Sequence, residues 1–375
     1  MLIVTGLPSE FTPARSTYNL DYANKLLNFV EGLSILYLRT FNPFRKKYWF
    51  KNLNNKIKVY ECPILIPYLK YEYQISLISI FFNIFFNKDN FNVIQGIGGN
   101  TAIPARIISK KNNTPYFIHF IGNDINSEMQ NLRKYPIYNE SIKNSNYVGF
   151  ESKNLKFKFL KFFKRNNNFS AIYRGIDISK LKFNYVLSKK IKIIFLGGFP
   201  VYDKGLAKDN TKGGYTLIKA LLRLKQKDIK NFDVKICGPN TKIIKNELLK
   251  FQDSSIRVFD RGLLPQKKVF EELSDSNIVV IPSESEGLPN VLWQSLALGN
   301  LVIGSNAGGI PEILNINDCG VIFEKNNPIQ LAEYLEYFSK NPSKIMKFAE
   351  RGRQLVEKFT LEDFVKKNYK ILKKI

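Results

Sequence analysis

The sequence is poor in the residues that carry metal and redox chemistry. It holds three cysteines and one histidine in 375 residues, and no two cysteines form a CxxC pair. Cys62, Cys237 and Cys319 therefore predict reduced thiols, with neither a disulfide framework nor a zinc site. The lone histidine, His119, excludes His-rich metal chemistry.

Long apolar segments are also missing. The most apolar run, Ile75–Phe86, is well short of the roughly 20 residues that a membrane-spanning helix needs. The first residues, Met1–Phe11, lack the basic start and apolar centre of a signal peptide and predict a first strand instead. We therefore expect a cytoplasmic protein that does not cross a membrane.

Acidic residues are scarce compared with basic ones. The chain has 57 Lys and Arg against 32 Asp and Glu, a net charge of +25 that is shared by both halves. Such a surface suits a membrane, a nucleic acid or a phosphorylated ligand. Because the basic residues are dispersed and no nucleic-acid-binding motif is present, we do not expect a nucleic-acid partner.

Short apolar runs alternate with helical segments along the chain. The predicted strands are Leu2–Gly6, Leu33–Arg39, Ile57–Pro63, Asn92–Gly96, Pro115–Ile121, Asn146–Phe150, Ser170–Gly175, Lys192–Gly198, Asp233–Pro239, Ile256–Gly262, Asn277–Ser283, Leu301–Ser305 and Gly320–Glu324. The predicted helices include Tyr18–Val30, Glu72–Asn87, Ala102–Lys111, Lys153–Lys164, Tyr215–Lys225 and Leu361–Lys374. Strands that are apolar throughout and separated by helices predict parallel sheets covered on both faces.

The pattern restarts in the middle of the chain, which predicts two doubly wound α/β domains facing each other across a cleft. We expect an N-terminal domain at 1–183, a C-terminal domain at 184–358, and a last helix within 359–375 that packs back toward the N-terminal domain. In such sheets, ligands bind beyond the carboxyl ends of the strands.

Residues 282–300, PSESEGLPNVLWQSLALGN, join a strand to a helix. Pro289 stands where proline is favoured, in the first turn of a helix. A helix N-terminus at the carboxyl edge of a parallel sheet suits a diphosphate, and Glu286 would point a carboxylate at hydroxyls beside it. Gln294 lies eight positions further on, roughly on the same helical side. Taken alone, the stretch fits equally well a Glu286 that only caps the helix and a Gln294 on the surface.

Several motifs in order carry a more specific signal. The segment PSESEGLPNVLWQSLALGNLVIGSNAGGIPEIL, with Gly308, Gly309 and Glu312 in register, resembles the retaining glycosyltransferases of the GT-B fold, family 4, also described as glycosyl transferases group 1. IYRGIDISKLKF and the pair LGGF and KGGYTLIKAL resemble two further motifs of that family. The resemblance is strong from Lys192 to Phe323.

The resemblance implies a role for each matching residue. Glu286 would contact the donor sugar, and Lys212 would bind the donor phosphates, so these two would carry catalysis. Gln294 replaces a glutamate that holds the ribose hydroxyls, which keeps hydrogen bonding but loses a charge-assisted bond. The other donor-binding positions lie in glycine turns and at the helix start: Gly197, Gly198, Gly287, Leu288, Pro289 and Asn290.

The family's phosphate-binding arginine is replaced by Gly198. The loop from Phe199 to Thr211 is longer than usual, and Lys204 or Lys208 on it could supply the missing charge. The alternative is that this loop is an ordinary solvated surface.

The N-terminal half matches the family less closely. PYFIHFIGNDIN resembles a strand followed by His-Gly-x-Asp, but Ile121 replaces the histidine. Asn123, Asp124 and His119 are therefore candidates for acceptor or sugar contact, together with Ser16 in the first loop. For His119 the alternative is an ordinary buried histidine.

The implied reaction is sugar transfer from a nucleotide-sugar donor to a growing surface polysaccharide, lipopolysaccharide or lipid-linked glycan, with retention of anomeric configuration. No DxD motif is present, so we expect no cofactor and no obligatory metal. The alternatives are a catalytically degenerate relative that only binds, a nucleotide-sugar epimerase and a nucleic-acid binder.

The run KFKFLKFFKR (Lys156–Arg165) mixes aromatic and basic residues. It fits a crossover helix whose phenylalanines pack on the N-terminal sheet, which we favour, or a patch that attracts anionic lipids. With a second such cluster at Phe44–Trp49, peripheral contact with the inner face of the cell membrane is an expectation.

Overall fold

The protein is described by a computed structural model over residues 1–7, 17–40, 52–64, 91–122, 124–129, 136–183, 185, 190–199, 202–203, 206–207, 211–251 and 255–375. The predicted helix Glu72–Asn87 and the cluster Phe44–Trp49 lie outside these residues. The chain divides into two compact units, which we call unit 1 (Met1–Arg174 with Leu361–Ile375) and unit 2 (Gly175–Thr360). These divisions fall close to the boundaries expected from the sequence, at 183 and 358.

The strands alternate with helices over most of the chain. In chain order they are β1 (Leu2–Thr5), β2 (Ser34–Thr40), β3 (Lys58–Ile64), β4 (Ile94–Ile97), β5 (Tyr116–Phe120), β6 (Tyr147–Phe150), β7 (Phe169–Ala171), β8 (Ile191–Leu196), β9 (Tyr202–Asp203), β10 (Leu206–Ala207), β11 (Phe232–Cys237), β12 (Arg257–Gly262), β13 (Ile278–Ile281), β14 (Leu301–Ser305) and β15 (Gly320–Phe323). Each predicted strand within the described residues is present, with ends that differ by at most a few residues.

The helices cover the faces of the sheets. The described ones are α1 (Thr17–Leu26), α2 (Ala102–Asn112), α3 (Pro136–Lys143), α4 (Lys153–Leu160), α5 (Gly214–Gln226), α6 (Lys245–Leu249), α7 (Gln266–Ser274), α8 (Asn290–Leu298), α9 (Ile310–Leu314), α10 (Pro328–Lys340), α11 (Ser343–Glu357) and α12 (Leu361–Lys374). Helix α12 begins and ends as the sequence predicts.

In unit 1 the sheet has the order β3-β2-β1-β4-β5-β6-β7, and its described strand pairs are all parallel. Helix α12 belongs to this unit and packs Phe364 edge-on against Tyr18 and Tyr22, with ring centroids 6.0 and 5.5 Å apart. The Tyr22 hydroxyl donates to Gln95 Oε1 at 2.7 Å beneath that helix. The last helix is therefore part of the core of unit 1, as expected of a segment whose apolar face has one sheet to cover.

Helix α4 confirms the packing interpretation of the basic aromatic run. Leu155, Phe159 and Phe163 are buried in the core of unit 1. The helix ends at Leu160, before the predicted Lys164, because the chain turns there: the amides of Phe162 and Phe163 both donate to Phe159 O, at 2.9 and 3.0 Å. This turn stacks the Phe163 ring on Phe159 with centroids 5.0 Å apart.

In unit 2 the sheet has the order β12-β11-β8-β13-β14-β15, again with parallel pairs. The chain runs from β8 outward through β11 to β12, then returns to β13 on the other side of β8. The strand order thus reverses between β8 and β13. In an open α/β sheet, the crevice at the carboxyl ends of the strands on either side of such a reversal is where ligands bind.

Candidate functional site

The loops that leave β8 and β13 carry the two charged residues singled out in the sequence. Lys212 lies just before α5, and Glu286 lies between β13 and α8. Lys212 Nζ is 2.6 Å from Glu286 Oε1, with the lysine side chain 45% exposed and the glutamate side chain 10% exposed. The structure therefore brings these two residues, 74 positions apart in the chain, together at the strand-order reversal of unit 2.

A buried serine orients the same carboxylate, and sequence reasoning missed it. Ser283 Oγ donates to Glu286 Oε1 at 2.8 Å. Ser305, at the end of β14, donates from its hydroxyl to the carbonyl of Ser283 at 2.5 Å. Glu286 Oε1 thus accepts from a neutral and a cationic donor, and the neutral donor is tied to two neighbouring strands. Only the place of Ser283 three residues before Glu286 could have suggested this contact.

Backbone bonds join the loops around this pair. Glu284 N donates to Thr211 O at 2.9 Å, which fixes the Lys212 loop beside the end of β13. Gly213 has φ +68°, and a Cβ there would lie 1.7 Å from Pro282 O. Because no L side chain fits this space, a glycine after Lys212 is required for the two loops to approach.

The pair Gly308 and Gly309, predicted as a family element, closes the other side of the Glu286 turn. Gly309 N donates to Gly287 O at 2.7 Å. Gly308 has φ +57°, and a Cβ there would lie 2.2 Å from Glu286 O. Glu312 lies in the first turn of α9. The backbone on both sides of Glu286 is therefore held by direct packing against glycine.

Helix α8 begins immediately after this turn. Its cap residue is Pro289, and no described side chain caps its first amides. Leu288 is buried, whereas Asn290 is exposed. A first turn without a side-chain cap leaves amide donors and the positive end of the helix dipole for an anion. Gln294 is half-buried on this helix, and its ribose-binding role stays a prediction.

Gly197 and Gly198 follow β8. A Cβ at Gly197 would lie 2.8 Å from the Cβ of Lys212, so this glycine makes room for the lysine. Gly198 has φ +70°, and a Cβ there would lie 2.3 Å from Pro239 O. A side chain such as the family arginine does not fit at Gly198 in this conformation. Lys204 and Lys208, the proposed substitutes, lie outside the described residues.

The candidates of unit 1 have a different environment. Ser16 and Asn123 lie outside the described residues. The carboxylate of Asp124 is buried and accepts from four backbone amides, that of Gly99 after β4 and those of Ile121, Gly122 and Ile125 in its own loop, at 2.8 to 3.0 Å. Burial raises the pKa of Asp124, although these amides act in the opposite direction. Asp124 therefore stabilises the backbone conformation around it.

His119 is 2% exposed and packs edge-on against the rings of Phe117 and Phe364. Burial, with the nearby Arg174 as a second cause, lowers the pKa of His119 to about 3, so the imidazole is neutral. Neither of its ring nitrogens has a hydrogen-bond partner within the described residues. The side chain is enclosed beneath α12 rather than presented to a sugar, as the alternative interpretation of a buried histidine predicts.

A buried contact between a glutamate and an arginine, which the sequence gave no reason to expect, lies at the same edge of the sheet. Glu151, which follows β6, is 3.2 Å from Arg174 Nη2, and both side chains are buried. Burial raises the pKa of Glu151 to about 8, although Arg174 opposes this rise. The guanidinium also lies over the ring of Tyr18, 4.3 Å from its centre.

The described residues contain no group of three or more His, Cys, Asp or Glu side chains that could hold a metal ion. Cys237 and Cys319 are buried free thiols, and burial raises the pKa of each to about 12. Within the same residues, no helix combines the length and apolar character needed to cross a membrane.

Solved structures of similar shape identify the fold. Sucrose-phosphate synthase of Thermosynechococcus elongatus superposes with a TM-score of 0.80 at 14% identity, covering 100% of this chain and 98% of that one. Anabaena HepE in complex with UDP-glucose superposes with a TM-score of 0.75 at 12% identity, covering 100% and 99%. Two parallel sheets with flanking helices, matched over the whole chain, define a protein of the GT-B fold, as predicted.

Sequence comparison gives the family. Residues 207–355 match the family described as Glycosyl transferases group 1. An uncharacterized glycosyltransferase of Methanocaldococcus jannaschii is 26% identical over 314 residues, which cover 80% of this chain and 81% of that protein. The amylovoran biosynthesis glycosyltransferase AmsK of Erwinia amylovora is 28% identical over 102 residues, 26% of this chain and 25% of that protein.

The chain is thus similar to group 1 glycosyltransferases in the segment 207–355 and to a glycosyltransferase relative over most of its length, and its fold is the GT-B fold. This confirms the resemblance to group 1 glycosyltransferases drawn from the motifs around Glu286. It favours sugar transfer over the epimerase, the degenerate relative and the nucleic-acid binder. Assignment to family 4 and retention of configuration stay predictions.

Proposed function

We propose that this protein moves a sugar from a nucleotide diphosphate donor to a growing surface polysaccharide, lipopolysaccharide or lipid-linked glycan, with retention of anomeric configuration. The observation that carries the proposal is the contact of Lys212 with Glu286 at the strand-order reversal of unit 2. A relative named for amylovoran biosynthesis and a structural neighbour solved with UDP-glucose support the acceptor and donor classes.

In the proposed reaction the bond between the sugar carbon C1 and the donor phosphate oxygen breaks. A bond from C1 to the acceptor oxygen forms on the same face of the sugar. The acceptor proton passes to an oxygen of the departing diphosphate, so no protein nucleophile is required. The negative charge that develops on the leaving diphosphate is what the protein must stabilise.

Two groups of unit 2 suit that task, and a third suits the sugar. Lys212 supplies a partly exposed ammonium group, which can leave Glu286 to meet a phosphate. The uncapped first turn of α8 supplies amide donors and a positive dipole end. Glu286, oriented by Ser283, supplies a carboxylate that accepts from sugar hydroxyls. Gln294 would hold the ribose.

We place the protein in the cytoplasm, where nucleotide sugars are made, and at the inner face of the membrane, where a lipid-linked acceptor lies. The proposal includes no cofactor and no obligatory metal, since the charge on the diphosphate would be met by Lys212 and the α8 amides.

Thermal unfolding with a panel of nucleoside diphosphates and their sugars tests the donor site. A ligand at a hundred times its dissociation constant stabilises the folded state by about 2.7 kcal/mol, so the true donor raises the unfolding temperature measurably. We expect one base and sugar to give the largest shift, unchanged by EDTA and lost in Lys212→Ala.

The matched control is Lys227→Ala. Lys227 pairs with Glu336 at 2.7 Å and is 43% exposed, much as Lys212 is, but it lies away from the strand reversal. If no nucleotide shifts the unfolding temperature, the degenerate binding protein becomes the better interpretation. The anomeric configuration of the product, read by NMR on the first turnover, tests retention separately.

A further inference from the structure

Helix α4 in unit 1 has a second face that its packing does not use. Leu155 and Phe159 point into the core, but Phe157 between them is 62% exposed, the most exposed of the large apolar residues in the described parts of the chain. A helix of this length needs only one apolar face to stay on its sheet. The outward phenylalanine therefore adds nothing to the fold that the buried positions do not supply.

Lysines surround that phenylalanine. Lys153 and Lys161 stand four residues before and after Phe157, which places all three on the same side of the helix. Lys161 Nζ lies 4.7 Å from the centre of the Phe157 ring, a cation–π contact. Lys164, just past the end of the helix, is exposed as well. We call Lys153, Phe157, Lys161 and Lys164 the α4 face.

The segment that carries these lysines has no acidic residue of its own. Between Ser152 and Ile176 the sequence holds six basic residues from Lys153 to Arg165, then Arg174, and not one Asp or Glu. Arg165, the last basic residue of the run, lines a polar recess of about 420 Å³ together with Lys374 of α12. The run therefore carries positive charge both on the α4 face and beside it.

We propose that the α4 face docks unit 1 on an anionic lipid bilayer, with Phe157 entering the interface and the lysines contacting headgroup phosphates. The proposal deepens the proposed function, because it names the surface on which a lipid-linked acceptor would be met. Only the purpose of this docking rests on the proposed function, because binding to a bilayer is measured without donor or acceptor.

Two features favour a bilayer over other anionic partners. Phe157 is apolar and points outward. A partner made only of phosphates offers this ring no apolar contact, whereas the bilayer interface accommodates an aromatic ring flanked by lysines. The cations of the face are lysines, which act as hydrated point charges and match a diffuse negative surface better than a partner that needs bidentate recognition.

Co-sedimentation of the full chain with vesicles tests the proposal. We compare phosphatidylcholine vesicles with and without phosphatidylserine, at low and high salt, for the unaltered protein and for Phe157→Ser, Lys161→Glu and Lys164→Glu. We expect binding only to the anionic vesicles and a decrease at high salt. Each lysine reversal should weaken binding at least about five-fold, which corresponds to about 1 kcal/mol per charge near such a surface.

Matched variants in unit 2 separate a docking face from general charge. Lys268→Glu changes the net charge by the same amount at a similarly exposed lysine, and Leu263→Ser removes an apolar side chain that is 53% exposed. Both should bind vesicles as the unaltered protein does. Thermal unfolding of every variant, with and without the nucleotide panel, reports folding and the donor site independently.

Three outcomes overturn the proposal. The first is no binding to anionic vesicles, and the second is equal weakening by the unit 2 variants, which assigns binding to overall charge. The third is a duplex or single-stranded DNA that binds through the α4 face while vesicles do not. A failed nucleotide shift with intact vesicle binding would overturn the donor site and leave this inference standing.

Discussion

Each of the two parallel sheets carries an acidic residue just beyond a strand, and the two acids are held differently. Glu286 follows β13 of unit 2 and contacts Lys212, a side chain that is 45% exposed. Asp124 follows β5 of unit 1 and accepts from four backbone amides, three of them from its own loop. Both acids are buried, so exposure of the acid does not distinguish them.

What distinguishes the two carboxylates is the kind of hydrogen-bond donor that each one accepts from. An exposed lysine on a flexible stem can move from a carboxylate to a ligand phosphate at little cost, because water solvates it in between. Backbone amides cannot leave a carboxylate unless the loop itself rearranges. We therefore infer that the acid of unit 2 can serve a substrate, whereas the acid of unit 1 serves the fold. The following changes test this contrast.

The largest effect is expected for Lys212→Ala. Removing a cation that meets charge developing in the transition state should lower kcat/KM about 10²–10³-fold, the usual cost of losing one such group. Glu286→Gln should also lower kcat/KM. Steady-state transfer assays with the donor identified by thermal shift measure both, with Lys227→Ala as the control. Equal losses in Lys212→Ala and Lys227→Ala would refute the assignment.

Asp124→Ala should act on stability instead of on chemistry. The change leaves four amides without their acceptor, three of them from the loop at 121–125. We expect a loss of roughly 3 kcal/mol in the free energy of unfolding, measured by urea titration. Asp177→Ala is the control, because that half-buried carboxylate accepts from the amide and the hydroxyl of Ser179 in a short turn of unit 2. A stable Asp124→Ala protein with lost activity would make Asp124 a substrate residue after all.

The buried pair of Glu151 and Arg174 gives unit 1 a pH dependence. Burial raises the pKa of Glu151 from its usual 4.5 to about 8, with Asp124 adding to the rise and Arg174 opposing it. Between pH 4.5 and about 8, Glu151 therefore stays protonated in the folded state, whereas it has lost its proton in the unfolded state. The contribution to stability is therefore complete below pH 4.5 and lost as the pH rises to about 8.

We expect Glu151→Gln to remove that decline, which amounts to at most about 1.4 kcal/mol per pH unit. Urea unfolding across this pH range measures it for both proteins, and Glu140→Gln, at an exposed glutamate, serves as the control. Parallel stability curves for Glu151→Gln and the unaltered protein would show that Glu151 is ionised in the folded state throughout.

Much of the fold follows from patterns along the chain. Strand β14 and helix α12 begin and end where the sequence predicts, because apolar periodicity and flanking caps or turns act locally. Helix α4 ends early, at Leu160, where the amides of Phe162 and Phe163 both donate to Phe159 O, and the apolar spacing of the run does not mark this turn.

The site was predictable in part, and for a different reason. Glu286 and Lys212 were found through the resemblance of the segments around them, since no spacing rule connects residues so far apart. Ser283, the amides around Asp124 and the Glu151–Arg174 pair were missed. Each depends on which strands are neighbours and how a loop folds at their ends, which composition and periodicity do not determine.

Ser283→Ala should have the smallest effect, and it tests whether Glu286 must be oriented as well as present. The change removes the neutral donor to Glu286 Oε1 and leaves Lys212 in place. We expect kcat to fall about ten-fold, roughly the worth of one hydrogen bond to a charged group, with little change in the affinity for nucleoside diphosphate. Ser283→Thr, which keeps the hydroxyl, should restore most of the rate. Ser295→Ala is the control, because among the described residues that buried hydroxyl on α8 donates only to the Val291 carbonyl of its own helix. If Ser283→Ala instead weakens nucleoside diphosphate binding and leaves kcat unchanged, the serine shapes the phosphate side of the site, and orientation of Glu286 is not what limits transfer.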